Sequence, residues 1–283
     1  MAACARRRGR AFGKDWPRLT GHLASTAGGP ARCAAGMKTE TSLDIRSVVA
    51  QVARVLQERG TQAYAVGGYV RDLLLDRGPR DVDIAVSGDS PLVAARAVAD
   101  ALGGSFFALD LERGYARVLV PHPVDGGAII LDFTPLQGTL EEDLARRDFT
   151  LDAMALPISS AHELRQLIDP HGGRYDIEQR LVRTMSEDVL REDPLRLLRA
   201  VRLAGEMELS IEENTAALIK AHAGAIQEVS PERVRDEVCR VLDLPRAGPW
   251  LWEMDRLGLL TQVFPEIAPA RGVEQPKEHY WDV

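Results

Sequence analysis

The sequence offers nothing from which a membrane span could be built, since no stretch approaches the ~20 continuous apolar residues required. A soluble, cytoplasmic protein with no membrane association is expected. Cysteine is scarce as well. Cys4, Cys33 and Cys239 are widely spaced and form no CxxC or Cys/His pattern, which argues against a zinc site and fits free thiols in a reducing compartment. Aromatic residues make up only 5% of the 283 residues, but the 45% hydrophobic content is ample for one large domain or two smaller ones. The chain also lacks a basic excess. Its formal net charge is −7, divided into +6 over residues 1–36, where seven Lys/Arg meet the single acid Asp15, and −13 over residues 37–283. Such an acidic body has no broad basic footprint for nucleic acid, so any contact of that kind must come from local arginine clusters or from a part outside this chain.

Organisation follows from the patterning. Residues 1–36 are rich in Arg, Gly and Ala with no sustained period. They can be read as a transit peptide, as a disordered basic arm, or as an extension outside the native fold. The last is expected here, because Met37 opens a clearly patterned segment. Ser42 can cap a helix carrying Ile45, Val48, Val49, Val52, Val55 and Leu56 at helical spacing, ended by Gly60. Strand-like runs follow at Ala63–Val66, Val82–Val86, Ser105–Leu109, Tyr115–Val120 and Ile129–Phe133, with a helix near Pro91–Leu102 between the second and third. Turns are expected at Arg113-Gly114 and at Asp125-Gly126-Gly127. Beyond about Leu164 the strand signal fades, and Arg191–Leu209, Ile211–His222, Pro231–Leu242 and Trp250–Leu260 read as amphipathic helices. The expected fold is α+β, a mixed or antiparallel sheet of about five strands flanked by helices, followed by an all-helical domain. Expected boundaries are 37–165 for the first domain and 166–265 for the second. Residues 266–283 read as the start of a further region cut short.

Three short patterns carry chemistry. Val66-Gly67-Gly68-Tyr69-Val70-Arg71-Asp72 places two glycines between a strand and a helix start, where backbone can approach a phosphate and Arg71 can hold one of its oxygens. Alone, the glycine pair reads as an ordinary turn. Asp81-Val82-Asp83-Ile84 puts two carboxylates at i and i+2 of a strand, on one face. Like charges so close call for a divalent cation, and oxygen-only ligands suit Mg²⁺. A solvated strand face is the alternative, against which Val82 and Ile84 imply a buried opposite face. Asp132, between Leu131 and Phe133, becomes a third carboxylate if its strand lies beside the Asp81–Asp83 strand, and otherwise is a surface acid.

In order and spacing these patterns resemble the DNA polymerase beta nucleotidyltransferase superfamily. Two more narrow the resemblance. Arg146-Arg147-Asp148-Phe149-Thr150-Leu151-Asp152-Ala153 is similar to the RRDFT(x)NA signature of class II CCA-adding enzymes and bacterial poly(A) polymerases. Glu192-Asp193-Pro194-Leu195-Arg196-Leu197-Leu198-Arg199-Ala200 is similar to their EDxxR motif, continued through Arg202 and Ala204. Asp169-Pro170-His171-Gly172-Gly173 and Glu232-Arg233-Val234 stand where two further family elements occur. The likeness spans roughly Ala63–Leu242.

The resemblance implies a nucleotidyltransferase head and a helical neck. It implies a two-metal Mg²⁺ site at Asp81 and Asp83, with Asp132 as the third acid. It assigns nucleotide binding to Gly67, Gly68, Arg71, Asp72, Arg147, Asp148, Asp193, Arg196 and Arg199, and reading of the base to Asp193 and Arg196. As i and i+3 of one helix the latter two would share a face; a surface ion pair is the plainer alternative. Asp152 departs from the family's Asn and adds a negative charge near the nucleotide. The implied activity is template-independent addition of C and A residues to the 3′ end of tRNA from CTP and ATP, with release of pyrophosphate. Poly(A) synthesis and partial CC- or A-addition share nearly all of these motifs. A non-catalytic RNA- or nucleotide-binding relative is the alternative of another class.

Overall fold

The computed structural model of the chain describes residues 45–79, 81–121 and 127–273. The expectations for residues 1–36, the Ser42 cap, the Asp125-Gly126 turn and the segment from 274 onward lie outside these residues. All described residues belong to one compact unit, Ser42–Val283.

Helix α1 (Ile45–Glu58) turns Ile45, Val48, Val49, Val52 and Leu56 inward, the set its 3.6-residue period selects. Strand β1 (Gln62–Val66) leads through Gly67 into α2 (Gly68–Leu74), then β2 (Asp81–Ser87), α3 (Pro91–Leu102) and the strands β3 (Ser105–Asp110), β4 (Tyr115–Pro121) and β5 (Ala128–Pro135). Gly103 ends α3 in the left-handed conformation, a cap that suits a residue without Cβ. Helix α4 (Leu140–Ala145) and β6 (Ala155–Pro157) complete the sheet, whose order is β3-β4-β5-β2-β1-β6. The sheet is mixed, since β2 and β5 run parallel while the other neighbours are antiparallel. The five expected strands are all present. The sixth, β6, is a three-residue strand ending in proline, too short to leave a periodic signal.

The sheet's two faces have different fates. Val82, Ile84, Val86, Val118, Leu131 and Phe133 are buried with the inward residues of α1 and α3. On the opposite face a small cluster of Val66, Ala85, Leu144 and Ala155 is roofed by α4 at one end only. Alternation along β2, β4 and β5 therefore leaves the rest of that face open, and it carries the polar residues. Helix α4 is set by a capping box, in which the Thr139 hydroxyl accepts from the Glu142 N–H and the Glu142 carboxylate accepts from the Thr139 N–H. Thr139→Ala should cost about 1 kcal/mol and lower the thermal midpoint by about 2–4 °C. Calorimetry checks it, and an unchanged midpoint would show that the cap contributes nothing.

Beyond β6, helices dominate: α5 (Gly173–Glu178), α6 (Glu187–Glu192), α7 (Leu195–Met207), α8 (Glu213–His222), α9 (Pro231–Leu242), α10 (Ala247–Arg256) and α11 (Leu260–Val263). Among them β7 (Leu181–Val182) and β8 (Ser210–Ile211) form a two-residue parallel ladder. The helix expected over 191–209 is broken. Pro194 disfavours helical geometry in the residue before it, so Asp193 is extended (φ −139°, ψ 94°) and α7 starts afresh at Leu195. Arg202 ties α7 to α9 through Glu237 at 2.6 Å, and within α7 it also pairs with Glu206 at 2.6 Å. No helix among the described residues is long and apolar enough to cross a membrane.

Candidate active site

The open sheet face holds the carboxylates. With Val82, Ile84 and Val86 buried on one side of β2, Asp81 and Asp83 project from the other. The parallel register sets Asp132 of β5 opposite Asp83, and the antiparallel register sets Arg117 of β4 opposite Asp132. The strand adjacency expected of Asp132 is thus present, but the three acids do not converge. Among the described residues no group of three His, Cys, Asp or Glu side chains is placed to hold a metal ion. Asp132 turns instead to its cross-strand neighbour, accepting from Arg117 Nε at 2.7 Å and Nη2 at 2.8 Å in a bidentate pair. Asp83 is half-buried. Burial pushes its carboxyl pKa up, Arg147 opposes this, and the nearby charges of Asp132 and Asp152 add to it. A divalent cation against Asp81 and Asp83 would reverse that penalty, so the donor set fits one.

The glycine turn abuts this pair. Gly67 has φ 66° and ψ −137°, and a Cβ there would lie 2.9 Å from Arg147 Nη1 and 3.1 Å from Asp83 Oδ2. Arg71, in α2, is mostly covered. Its Nη1 donates to Asp152 Oδ1 at 2.7 Å and its Nε to Asp72 Oδ1 at 2.9 Å. Burial pulls the Arg71 pKa down, but Asp152 and Asp72 outweigh it and raise it. The acid that departs from the family signature therefore grips the arginine of the glycine motif. Asp152 also lies 3.9 Å from Arg199 Nη2.

The residues of the other two motifs line a cleft of about 370 Å³ that reaches the open sheet face through Tyr115 and Thr134. Arg147, Asp148, Asp193, Arg196 and Arg199 line it together with Tyr115, Thr134 and Arg233. Five arginines meet three aspartates on its wall, so this part of an acidic chain is locally positive. Asp148 is buried, which raises its pKa, while Arg199, with Nε 2.7 Å from Asp148 Oδ2, works against the rise. Asp193 and Arg196 both reach the cleft, though not as two residues of one helix. Asp193 pairs with Arg233 of α9 at 2.7 and 3.2 Å, and Arg196 donates to the Val189 carbonyl at 2.7 Å. Partial burial works against the Asp193 carboxylate, but the Arg233 hydrogen bonds and charge hold it below the usual range.

Residues 63–124 and 130–183 match the poly A polymerase head domain family, and residues 208–271 match the family described as the probable RNA and SrmB-binding site of polymerase A. Over 224 residues the chain is 43% identical to the CC-adding tRNA nucleotidyltransferase of Geobacter sulfurreducens, covering 79% of this chain and 49% of that one. The chain belongs to the family of class II CCA-adding enzymes and bacterial poly(A) polymerases. It is also 40% identical over 226 residues to the A-adding tRNA nucleotidyltransferase of Deinococcus radiodurans, covering 78% of this chain and 49% of that one. The multifunctional CCA protein of Pseudomonas aeruginosa is 35% identical over 234 residues, covering 78% and 55%. Among solved structures, the Thermotoga maritima CCA-adding enzyme complexed with tRNA superposes with a TM-score of 0.69 at 28% identity, covering 81% of this chain and 53% of that one. The chain spans about half the length of the curated relatives it matches.

Several residues at the site of this nucleotidyltransferase-family chain carry no individual signal in the sequence. Arg117 sits in an ordinary strand, and only the β4–β5 register reveals that it faces Asp132. Asp143 is one of several acids in α4 but lies 3.4 Å from Arg147 Nη2. Arg233 falls in a family-like tripeptide, yet its pairing with Asp193 across 40 residues is a tertiary fact.

Proposed function

We propose that this chain carries the catalytic head (37–165) and nucleotide-selecting neck (166–265) of a tRNA nucleotidyltransferase, which adds C and A residues to the 3′ end of tRNA from CTP and ATP and releases pyrophosphate. The observation that carries the reading is the placement of Asp81 and Asp83 on an open sheet face beside an arginine-lined cleft. Asp81 and Asp83 are the residues that would hold Mg²⁺, and Asp132 on the neighbouring strand joins them only by leaving Arg117. When bound, the ion supplies charge at the α-phosphate and favours ionisation of the attacking 3′-hydroxyl. The chain's own groups do the positioning. Gly67, Gly68 and Arg71, with Asp72 and Asp152 orienting the guanidinium, take the triphosphate. Arg147 and Asp148 take the ribose and phosphates, with Arg199 holding Asp148. Asp193 accepts from the exocyclic amine of C or A while Arg196 donates to a ring acceptor, a pattern that disfavours U and G. The pairing of Asp193 with Arg233 fixes that carboxylate without needing it on the same helix as Arg196.

A partial activity, CC-addition or A-addition alone, is the second reading, favoured by the 43% and 40% identities to partial adders against 35% to the multifunctional enzyme. Incorporation of labelled CTP and ATP into tRNA lacking its terminal CCA decides between them. Ordered C, C, A addition is expected. Stopping after C, or adding only A to a CC end, selects the partial reading, and long tails from ATP alone select poly(A) synthesis. Nucleotide binding without any incorporation points to a non-catalytic relative.

A further inference from the structure

The registers of four adjacent strands define a row across the open sheet face: Asp83 of β2, Asp132 of β5, Arg117 of β4 and Phe107 of β3. The neighbouring row runs Asp81, Ile130, Leu119 and Ser105 through the same three pairings. Side chains opposite one another in a ladder share a face, so Phe107 projects on the carboxylate side, with Ile130 and Leu119 beside it. Its neighbour Phe106 confirms the assignment from the other direction. Phe106 faces the helix-covered side, where the Arg96 guanidinium lies 4.0 Å above its ring.

This surface is unusual for an edge. Phe107 is 48% exposed, and Leu109 and Leu111 beyond it are 54% and 74% exposed. Edge strands are ordinarily blunted by charge or cover, and an apolar, aromatic edge marks a contact surface. Three strand spacings separate Phe107 from Asp83, about 14 Å, which roughly four stacked bases span at 3.4 Å each. The opposite end of the face meets the arginine-lined cleft through Tyr115 and Thr134. With an incoming nucleotide in that cleft, the half-buried Ile130 and Leu119 and the exposed Phe107 remain accessible on the sheet itself. Arg117 lies midway, its guanidinium held by Asp132, and a fixed guanidinium plane stacks on bases as an aromatic ring does.

We propose that the open face of β3–β4–β5, centred on Phe107, Arg117, Leu119 and Ile130, is a stacking platform for the unpaired 3′-terminal nucleotides of the RNA acceptor. The platform directs the terminal hydroxyl toward Asp81 and Asp83. It is distinct from residues 208–271, the segment matching an RNA-binding family. This inference rests on the proposed reaction only for the identity of the acceptor.

The test pairs a map of contact with kinetics. A short single-stranded RNA carrying 4-thiouridine next to its 3′ end is photo-crosslinked to the full chain, and the adduct is mapped by mass spectrometry. Crosslinks within 105–121 or 127–135 are expected. In parallel, Phe107→Ser, a change at a half-exposed position, should raise the KM for the RNA acceptor about 5- to 100-fold and leave the KM for CTP unchanged. Phe107→Trp should restore the wild-type value. Crosslinks confined to other segments, absence of any crosslink, or an RNA KM indifferent to Phe107→Ser overturns the platform. So does a change in sedimentation with Phe107→Ser alone, which would assign the edge to a second copy of the chain. A wild-type chain that crosslinks at the platform but transfers no nucleotide leaves the surface standing and removes the proposed reaction. Transfer with crosslinks elsewhere does the reverse.

Discussion

Replacing Asp83 by Asn is expected to reduce nucleotide incorporation by about three orders of magnitude or more, while leaving the folded protein as stable as the parent or more so at neutral pH. The two effects come from one arrangement. Asp83 is half-buried near Asp132 and Asp152, and desolvation, with these two charges behind it, raises its pKa. For an acid whose folded pKa lies above its unfolded value, the folded state retains the proton over a range where the unfolded chain has lost it. Its contribution to stability is then greatest at low pH and falls as pH climbs from the unfolded pKa through the folded one. Asparagine keeps the shape, removes the charge and abolishes that loss. It also removes a ligand that no neighbour can replace, since Asp132 is engaged by Arg117. Thermal midpoints at pH 5 and pH 8, beside incorporation rates, check the pair of effects. An active Asp83→Asn variant would move the metal site elsewhere, and a variant much less stable at pH 8 would show that Asp83 is a structural anion.

How far the site could be read from sequence depended on the range of the interaction involved. Alternation along 81–86 was enough to place Asp81 and Asp83 together on a face opposite Val82 and Ile84, because a strand's side-chain period is a local property. The same holds for the inward stripe of α1 and for the glycine cap of α3. Register is not local. That Asp132 stands opposite Asp83, and that Arg117 then captures it, depends on which strands neighbour which. Parallel pairing of β2 with β5 joins segments separated by α3 and the β3–β4 hairpin. The Asp193–Arg196 pair shows a different limit. Spacing suggested one helix, but Pro194 imposed a break, and Arg233 from a helix 40 residues away took over the orientation of Asp193. Asp152 looked like a stray charge in its motif. Its partner Arg71 lies 81 residues earlier, and only the packed structure turns the departure into an ion pair with both side chains largely covered.

Gly67→Ala should be the most damaging single-methyl change at the site, destabilising the fold by about 2 kcal/mol and lowering the thermal midpoint by about 4–8 °C. At φ 66° and ψ −137° the backbone occupies a region that residues with a Cβ scarcely enter, so strain arises whatever the surrounding space. The space is also taken. The new methyl would meet Arg147 Nη1 at 2.9 Å and Asp83 Oδ2 at 3.1 Å, groups belonging to two separate motifs of the site. Both are side-chain tips and can yield, so the steric part of the damage should appear in function more than in folding. Displacing Arg147 weakens its proposed hold on the nucleotide, and displacing Asp83 alters the proposed cation site, so kcat/KM should fall by about 100-fold or more. Gly68→Ala is the internal comparison. Gly68 begins α2 at an ordinary φ, and its added methyl would meet only the far end of Arg71, with Nη2 at 3.2 Å. That variant should fold with near-parent stability and show its defect in the KM for the nucleotide. Equal stability of the two alanine variants would mean that the turn at Gly67 relaxes freely. Then the conformation that brings the backbone against Asp83 and Arg147 would not be what holds the two motifs together.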